Sequence, residues 1–282
     1  MRIIPTRLRQ LPKFAVNIFH RYLPAIPTAR RKQDGPTFYL CYFTCGSYFR
    51  YLYCSIDSLA RMGSTHNIVI KIFCDRSDML SSAQEKAISD RFPEVEFIPW
   101  EKAQGWGEEQ IREIWKAYGS VAERCGPDDY IARVDSDVFF FSDWIFDFAR
   151  KRQYDLIGDG HYVGFKYCQG GFYLWKASAI IDAVNFIERT DFSKVLEQYQ
   201  VRVEDRAAYL LAKLTGKTWI FLFYMMFPDE YKLSSGLGGY QRWKFCCLHY
   251  AVRDKAGMLD IYENEMLDEA SIREYRAAIG IT

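Results

Sequence analysis

Tyr130–Phe141 reads YIARVDSDVFFF, an apolar run interrupted by two carboxylates, Asp135 and Asp137. The run predicts a buried β-strand. Side chains two residues apart in an extended chain point the same way, so the carboxylates converge if the backbone stays extended through Ser136. Converging carboxylates repel each other unless a cation lies between them, and Mg²⁺ and Mn²⁺ take such oxygen ligands. The stretch therefore predicts a metal site, with two aspartates at a strand-end turn as the alternative.

The composition describes a folded chain with one basic end. The 282 residues are 49% hydrophobic and 17% aromatic, which excludes a chain disordered throughout. The net charge is +1, but residues 1–34 hold eight Lys or Arg and one Asp. The remaining residues therefore carry a charge of about −6. An acidic body of this kind argues against nucleic acid as a partner.

Residues 1–35 are predicted to form a basic, amphipathic arm that prolines break into short pieces. Such an arm can lie on an anionic membrane face, and a flexible arm without a lipid role is the equal alternative. No apolar run approaches the ~20 residues that span a bilayer, and no signal peptide is visible. We therefore expect a cytoplasmic protein, with the arm as its contact with the inner membrane face.

The cysteines are predicted to be reduced core residues, which agrees with a cytoplasmic location. They show no Cys-x-x-Cys spacing and most lie in apolar segments, so neither a disulfide framework nor a zinc site is expected. The eight are Cys41, Cys45, Cys54, Cys74, Cys125, Cys168, Cys246 and Cys247.

Strand and helix patterns alternate along the first half of the body. This alternation predicts an α/β fold with a mostly parallel sheet flanked by helices. Ligands of such sheets bind beyond the carboxyl ends of the strands, so Thr44, Asp75, Asp135 and Asp137 are expected to face one crevice. The predicted strands are 37–44, 68–74, 95–99 and 130–141; the predicted helices are 48–62, one capped by Ser81 and Gln84 that runs to Arg91, and 108–124.

The second half adds further candidates. Gly170 and Gly171 precede an apolar strand and allow close approach of the backbone to a ligand. Glu204 and Asp205 open a helix that runs to about Leu214, although the helix dipole alone favours acids there. His249 lies in an apolar stretch, where a lone His is more often structural than a metal ligand. A short strand at 155–160 and helices at 178–188 and 268–278 complete the pattern.

Taken in order, these motifs resemble the nucleotide-sugar-dependent glycosyltransferases of the GT-A fold. The match runs through Asp75, Asp135-Ser-Asp137, Gly170-Gly171-Phe-Tyr-Leu, Glu204-Asp205 and His249 and covers residues 37–256. The resemblance implies one GT-A domain over 36–282. Its nucleotide-binding half would span about 36–145, and its acceptor and catalytic half, on the C-terminal side, about 146–282.

The resemblance also implies roles for single residues. Asp135, Asp137 and His249 would bind Mn²⁺ or Mg²⁺, with Asp135 contacting the metal or the ribose of a nucleotide-sugar donor. A UDP-sugar is the implied donor, and a glycan or lipid-linked glycan is the expected acceptor. For the nucleotide, the resemblance implies that Tyr42 and Phe43, next to Thr44, stack on the base and that Asp75 accepts a hydrogen bond from the base N–H. Arg133 would also contact the donor, and Lys255 would approach the diphosphate. Gly170 and Gly171 would form the floor of the site.

In inverting members of the family the second acid of the Glu-Asp pair, here Asp205, is the general base, with Glu204 next in line. A positioned carboxylate of this kind contributes ~10²–10⁴ in rate, and a metal with a lysine offsets charge on a departing diphosphate. The strand after Gly171 is also similar to retaining, blood-group-type enzymes, and the glycogenin-type Gly and Pro-Trp around Lys255 are missing. Inversion is favoured, and retention stays open.

Two other functions are compatible with the motifs. Haloacid-dehalogenase-type phosphatases also carry Asp-x-Asp after an apolar strand, with the first Asp, here Asp135, as nucleophile. That motif usually opens the phosphatase chain, whereas about 95 body residues precede it here. A non-catalytic nucleotide-sugar-binding protein on the same scaffold is the second alternative.

Overall fold

The computed structural model describes residues 35–101, 107–160, 168–228, 245–251 and 255–280. The basic arm, residues 1–34, lies outside this range, and so does the membrane contact predicted for it. The strands are β1 (Thr37–Thr44), β2 (Asn67–Asp75), β3 (Val95–Trp100), β4 (Tyr130–Val134), β5 (Val138–Phe140), β6 (Leu156–Asp159), β7 (Phe172–Lys176), β8 (Trp219–Leu222), β9 (Met225–Met226) and β10 (Cys247–His249).

The helices lie between these strands and at the carboxyl end of the described chain. They are α1 (Phe49–Arg61), α2 (Ser82–Arg91), α3 (Glu108–Ala122), α4 (Trp144–Arg152), α5 (Ala177–Arg189), α6 (Phe192–Gln198), α7 (Glu204–Leu214), α8 (Ala256–Met266) and α9 (Glu269–Ile279). The capping box predicted for α2 is present, with Ser81 and Gln84 bonding each other's backbone N–H groups. No helix within the described ranges is long and apolar enough to cross a membrane.

The central sheet has seven strands in the order β3-β2-β1-β4-β7-β6-β8. All its pairings are parallel except those of β7, which runs antiparallel to both β4 and β6. This architecture confirms the predicted α/β fold with a mostly parallel sheet. Because β7 is reversed, its first residues and the carboxyl ends of β1 and β4 lie at the same edge of the sheet.

The sheet separates two hydrophobic layers, and β1 supplies both of them. Leu40 and Tyr42 pack on the side of α1, α8 and α9. Cys41 and Phe43 pack on the side of α3, α5 and α7. Alternation along an extended strand accounts for this division. All eight cysteines are free thiols and most are buried, as the sequence predicted.

The prediction of one strand over residues 130–141 is wrong. β4 ends at Val134, and the chain turns through Asp135–Asp137, where the N–H of Val138 donates to the Asp135 carbonyl over 3.1 Å. β5 then joins a separate sheet of order β5-β10-β9, antiparallel to β10. An apolar run does not reveal such a break, because the residues on both sides of the turn are buried.

Candidate active site

A cavity of about 390 Å³ lies at the sheet edge where β1 and β4 end. Its size is typical of a small-molecule site. Several segments line it, among them the end of β1, the end of β4 with the turn after it, the residues before β7, and the first turn of α7. Lining residues from these places are Phe43, Arg133, Asp135, Ser136, Asp137, Gln169, Gly170, Glu204 and Asp205, together with His249 and Lys255.

Asp135, Asp137 and His249 converge on one point. His249 Nε2 lies 3.4 Å from Asp137 Oδ1 and 3.8 Å from Asp135 Oδ2, and one ligand atom from each residue falls within 4.8 Å of the others. The small sheet produces this approach, because β10 pairs His249 with Val138 and the N–H of Tyr250 donates to the Asp137 carbonyl over 2.8 Å. The predicted convergence therefore occurs through a turn and not through an extended backbone.

Two carboxylates and an imidazole form a donor set that suits a divalent cation such as Mn²⁺. Asp137 and His249 are both nearly buried, each with 7% of its surface exposed. Burial by itself raises the pKa of Asp137, but the hydrogen bond and charge of His249, together with Lys255, hold that pKa below its usual value. The ammonium of Lys255 bonds Asp137 Oδ2 directly and donates to the Tyr250 carbonyl over 2.9 Å. Asp137 is thus an anion, ready to bind a cation.

His249 is held in place by packing. An added Cβ at Gly171 would lie only 2.4 Å from Nδ1 of the imidazole, and the ring of Phe227 is 5.7 Å away between centroids. Nδ1 is buried, and no described residue hydrogen-bonds to it. The imidazole therefore fills the space that a side chain at position 171 would take, with Nε2 toward the carboxylates.

Arg133 joins the turn to α7. Its Nε and Nη2 both donate to Asp135 Oδ1, over 3.1 and 3.0 Å, while Nη1 donates to Glu204 Oε2. The hydroxyl of Tyr173 donates to Glu204 Oε1. Burial raises the pKa of Glu204 to about 7, although Arg133 opposes the shift. Both oxygens of Glu204 are therefore engaged by neighbouring side chains.

The raised pKa of Glu204 predicts a pH-dependent contribution to stability. Because the folded state binds this proton more tightly than the unfolded chain, the stabilisation is complete below the unfolded pKa of about 4.3 and is lost as pH rises through about 7. The change is at most about 4 kcal/mol. Between about pH 5 and pH 8, the melting temperature of Glu204→Gln should fall less than that of the wild type. Identical pH profiles in thermal unfolding would mean that Glu204 is ionised throughout.

Asp205 faces the cavity from the same helical turn. Burial raises the pKa of its carboxyl, Arg133 and the N–H of Arg206 lower it, and Asp135 raises it further, so that the pKa lies above its usual value. An added Cβ at Gly170 would lie 3.4 Å from Asp205 Oδ2, which places the carboxylate over that glycine. A carboxylate with a raised pKa is a stronger base at neutral pH.

Four residues predicted to contact the donor do not line the cavity. One is Gly171, which packs against His249. Tyr42 lies on the α1 side of the sheet, where its hydroxyl is 2.9 Å from the Ser55 hydroxyl. Thr44 is buried and accepts from Ser136 over 3.0 Å. Asp75 accepts from the N–H and hydroxyl of Ser77, over 2.8 and 2.7 Å. Of the predicted aromatic pair, Phe43 alone lines the cavity, because successive side chains of β1 point to opposite faces.

Sequence reasoning missed Tyr173 and the start of α3. Tyr173 lies within an apolar strand, and its hydroxyl gives no periodic signal. Gln110 and Ile111 line the cavity from α3. The N–H of Gly107 donates to the Arg202 carbonyl over 3.1 Å, which joins the start of α3 to the loop before α7. Only the sheet order brings these distant segments together.

No family model matches the sequence, and no curated protein matches it. Solved structures match well. LgtC, a galactosyltransferase solved with donor and acceptor sugar analogues, superposes with a TM-score of 0.51 at 13% identity; the match covers 84% of this chain and 99% of LgtC. The chain has the GT-A glycosyltransferase fold.

A second GT-A match shows how far the likeness extends. WbbM, a bifunctional glycosyltransferase in its apo form, superposes with a TM-score of 0.51 at 10% identity. The match covers 88% of this chain but 53% of WbbM, so the chain spans about half the length of that protein. At such low identities the shared GT-A fold is the finding, and the roles of single residues depend on the site geometry described above.

Proposed function

We propose that the protein is a metal-dependent glycosyltransferase that moves a sugar from a nucleoside-diphosphate sugar, of the UDP class, to a hydroxyl of a glycan or lipid-linked glycan. One observation carries the proposal: in a GT-A fold, the Asp135, Asp137 and His249 cluster and the Asp205 carboxylate open into the same cavity. A metal-binding centre beside a carboxylate of raised pKa is what transfer to a hydroxyl requires.

Asp135, Asp137 and His249 would hold the cation, Mn²⁺ or Mg²⁺. Such a cation offsets negative charge that develops on a departing diphosphate. Lys255 lies beside Asp137 and supplies a second positive charge for the same diphosphate. Phe43 offers an aromatic face to the nucleobase.

Asp205 would act on the acceptor. Its carboxylate removes the hydroxyl proton as the acceptor oxygen forms a bond with the anomeric carbon of the sugar. The bond from that carbon to the diphosphate oxygen breaks, and the diphosphate leaves with the electron pair. Displacement in one step from the opposite face inverts the anomeric configuration. Glu204 is not suited to this role, since Arg133 and Tyr173 engage both of its oxygens.

No observation favours the phosphatase. Its nucleophile would be Asp135, but Oδ1 of that residue accepts two hydrogen bonds from Arg133 and Oδ2 faces His249. Contacts of this kind suit a carboxylate that binds a cation better than one that attacks a phosphorus atom.

Thermal-shift titration with nucleoside diphosphates tests the proposal. UDP with Mn²⁺ should raise the melting temperature, because a ligand present at about 100 times its Kd stabilises the folded state by about 2.7 kcal/mol. UDP without metal should have little effect. Asp137→Ala should abolish the metal-dependent shift, and the matched surface variant Asp90→Ala, far from the cavity, should keep it.

Two outcomes would contradict the proposal. The first is the absence of a shift with UDP, GDP, CMP and dTDP alike, each tested with Mn²⁺. The second is a nucleotide-dependent shift without turnover of any nucleotide-sugar, which would favour the non-catalytic binding protein.

A further inference from the structure

We propose that Arg133 is a positioning residue that fixes the Asp135 carboxylate for metal binding, and that Glu204 and Tyr173 hold Arg133 in place. This inference rests on the metal site of the proposed function. It assigns Arg133 a role in the protein's own scaffold, in place of the donor contact that the family resemblance implies.

Asp135 is the least enclosed of the three candidate ligands. Its side chain is 31% exposed, against 9% for Asp137 and 8% for His249. Packing alone therefore does not restrict Asp135 to one rotamer. Two N–H groups of Arg133 converge on its Oδ1, so Oδ2 is the oxygen that faces His249. The planar guanidinium thus selects which oxygen is presented to a cation.

Arg133 is itself held from the other side. In the sheet, β4 and β7 pair Arg133 directly with Tyr173. Glu204 lies between the two side chains and accepts from both, with 4% of its side chain exposed. Because a buried carboxylate is costly unless it is paired, Glu204 and Arg133 stabilise each other's position. The hydroxyl of Tyr118 lies 3.4 Å from that of Tyr173 and extends the chain of contacts to α3.

The three ligands are therefore supported in different ways. His249 is packed against Gly171, Asp137 contacts the ammonium of Lys255, and Asp135 is oriented by the fork of Arg133. Partners that orient metal ligands through hydrogen bonds typically change metal affinity 10- to 100-fold when they are removed. We expect the same magnitude for Arg133.

The direction in which the Mn²⁺ affinity changes when Arg133 is replaced distinguishes a positioning role from a purely electrostatic one. Arg133→Met removes a positive charge next to a cation site, so long-range electrostatics alone would make Mn²⁺ bind more tightly. Positioning predicts the reverse, a Kd for Mn²⁺ about 10- to 100-fold weaker. The measurement is a titration of the intact protein with Mn²⁺ alone, in which electron paramagnetic resonance counts the free ion. It requires no activity and no substrate.

Two milder variants test the same point if Arg133→Met folds poorly. Arg133→Lys keeps the charge but lacks the planar fork that donates twice to Asp135 Oδ1 while it bonds Glu204, so Mn²⁺ should still bind about 10-fold more weakly. Tyr173→Phe removes the hydroxyl behind Glu204 and should weaken binding in the same direction. The matched control is Arg61→Lys, since Arg61 holds the buried Asp57 of α1. It should lower the melting temperature and leave the Mn²⁺ Kd unchanged.

The outcomes separate this inference from the proposed function. If the wild type binds Mn²⁺ and the folded Arg133 variants bind it equally well or more tightly, the positioning role is wrong and the proposed function stands. If the wild type does not bind Mn²⁺, either alone or in the presence of UDP, the metal site fails, and both proposals fail with it. Weaker binding by both Arg133 variants, with Arg61→Lys unchanged, supports the positioning role.

Discussion

Asp205→Asn is expected to reduce sugar transfer by about 100- to 10,000-fold, the range of a general base, while donor and Mn²⁺ binding stay near the wild-type level. The amide has nearly the same shape as the carboxylate but cannot accept the hydroxyl proton. Asp205 faces the cavity without belonging to the metal cluster, so binding and turnover should separate. Initial rates with a UDP-sugar and calorimetric titration with UDP and Mn²⁺ measure the two effects.

Glu108→Gln is the matched control for Asp205→Asn. Glu108 is also an acid in the first turn of a helix, but it bonds Arg112 and Ser193 at the surface, and its substitution should leave transfer intact. A wild-type turnover rate in Asp205→Asn would remove Asp205 as the base. The product gives a second check: an anomeric configuration retained in the NMR spectrum would rule out one-step displacement assisted by Asp205.

Gly171→Ala is expected to weaken Mn²⁺ binding by about 100-fold or more in a protein that still folds. The new methyl group would lie 2.4 to 2.8 Å from Nδ1, Cγ and Cε1 of His249, closer than van der Waals contact permits. His249 cannot retreat easily, since β10 pairs with β5 and Phe227 packs near the ring. Displacing a ligand outright should cost more than losing an outer partner, so we expect on the order of 100-fold weaker binding or worse.

The neighbouring glycine provides the control. A Cβ at Gly170 would lie 3.4 Å from Asp205 Oδ2, an ordinary contact, and neither glycine has a positive φ that would make alanine strained. Gly170→Ala should therefore bind Mn²⁺ as the wild type does. If Gly171→Ala also keeps the wild-type Kd, His249 is not a metal ligand.

The sequence predicted those features of the fold that follow from local periodicity. Apolar strands alternating with amphipathic helices gave the α/β class, and Ser81 with Gln84 gave the start of α2. The convergence of the Asp135 and Asp137 carboxylates was predicted for the wrong reason, namely an extended backbone. Both point to His249 because the chain turns between β4 and β5 and β10 pairs with β5, a contact between residues more than 100 positions apart.

The donor contacts show a second limit. Tyr42 and Phe43 are both aromatic and are neighbours in the sequence, yet the sheet places them on opposite faces. The positions of β7 and α7 likewise decide the partners of Arg133. They determine whether it contacts the sugar donor or orients Asp135 within the protein. Motif spacing identifies candidate residues, whereas the position of a side chain relative to the sheet decides its contacts.

The ammonium of Lys255 balances part of the negative charge of the candidate metal centre. This ammonium bonds Asp137 Oδ2, whereas Oδ1 of the same carboxylate faces His249. An incoming cation would therefore share the negative charge of Asp137 with Lys255. A diphosphate offers the ammonium another partner and thereby frees Asp137. Because such coupling is reciprocal, the factor by which the diphosphate strengthens cation binding equals the factor by which the cation strengthens diphosphate binding. We therefore expect the two ligands to enter together and depart together, which ties the end of each catalytic cycle to their joint release.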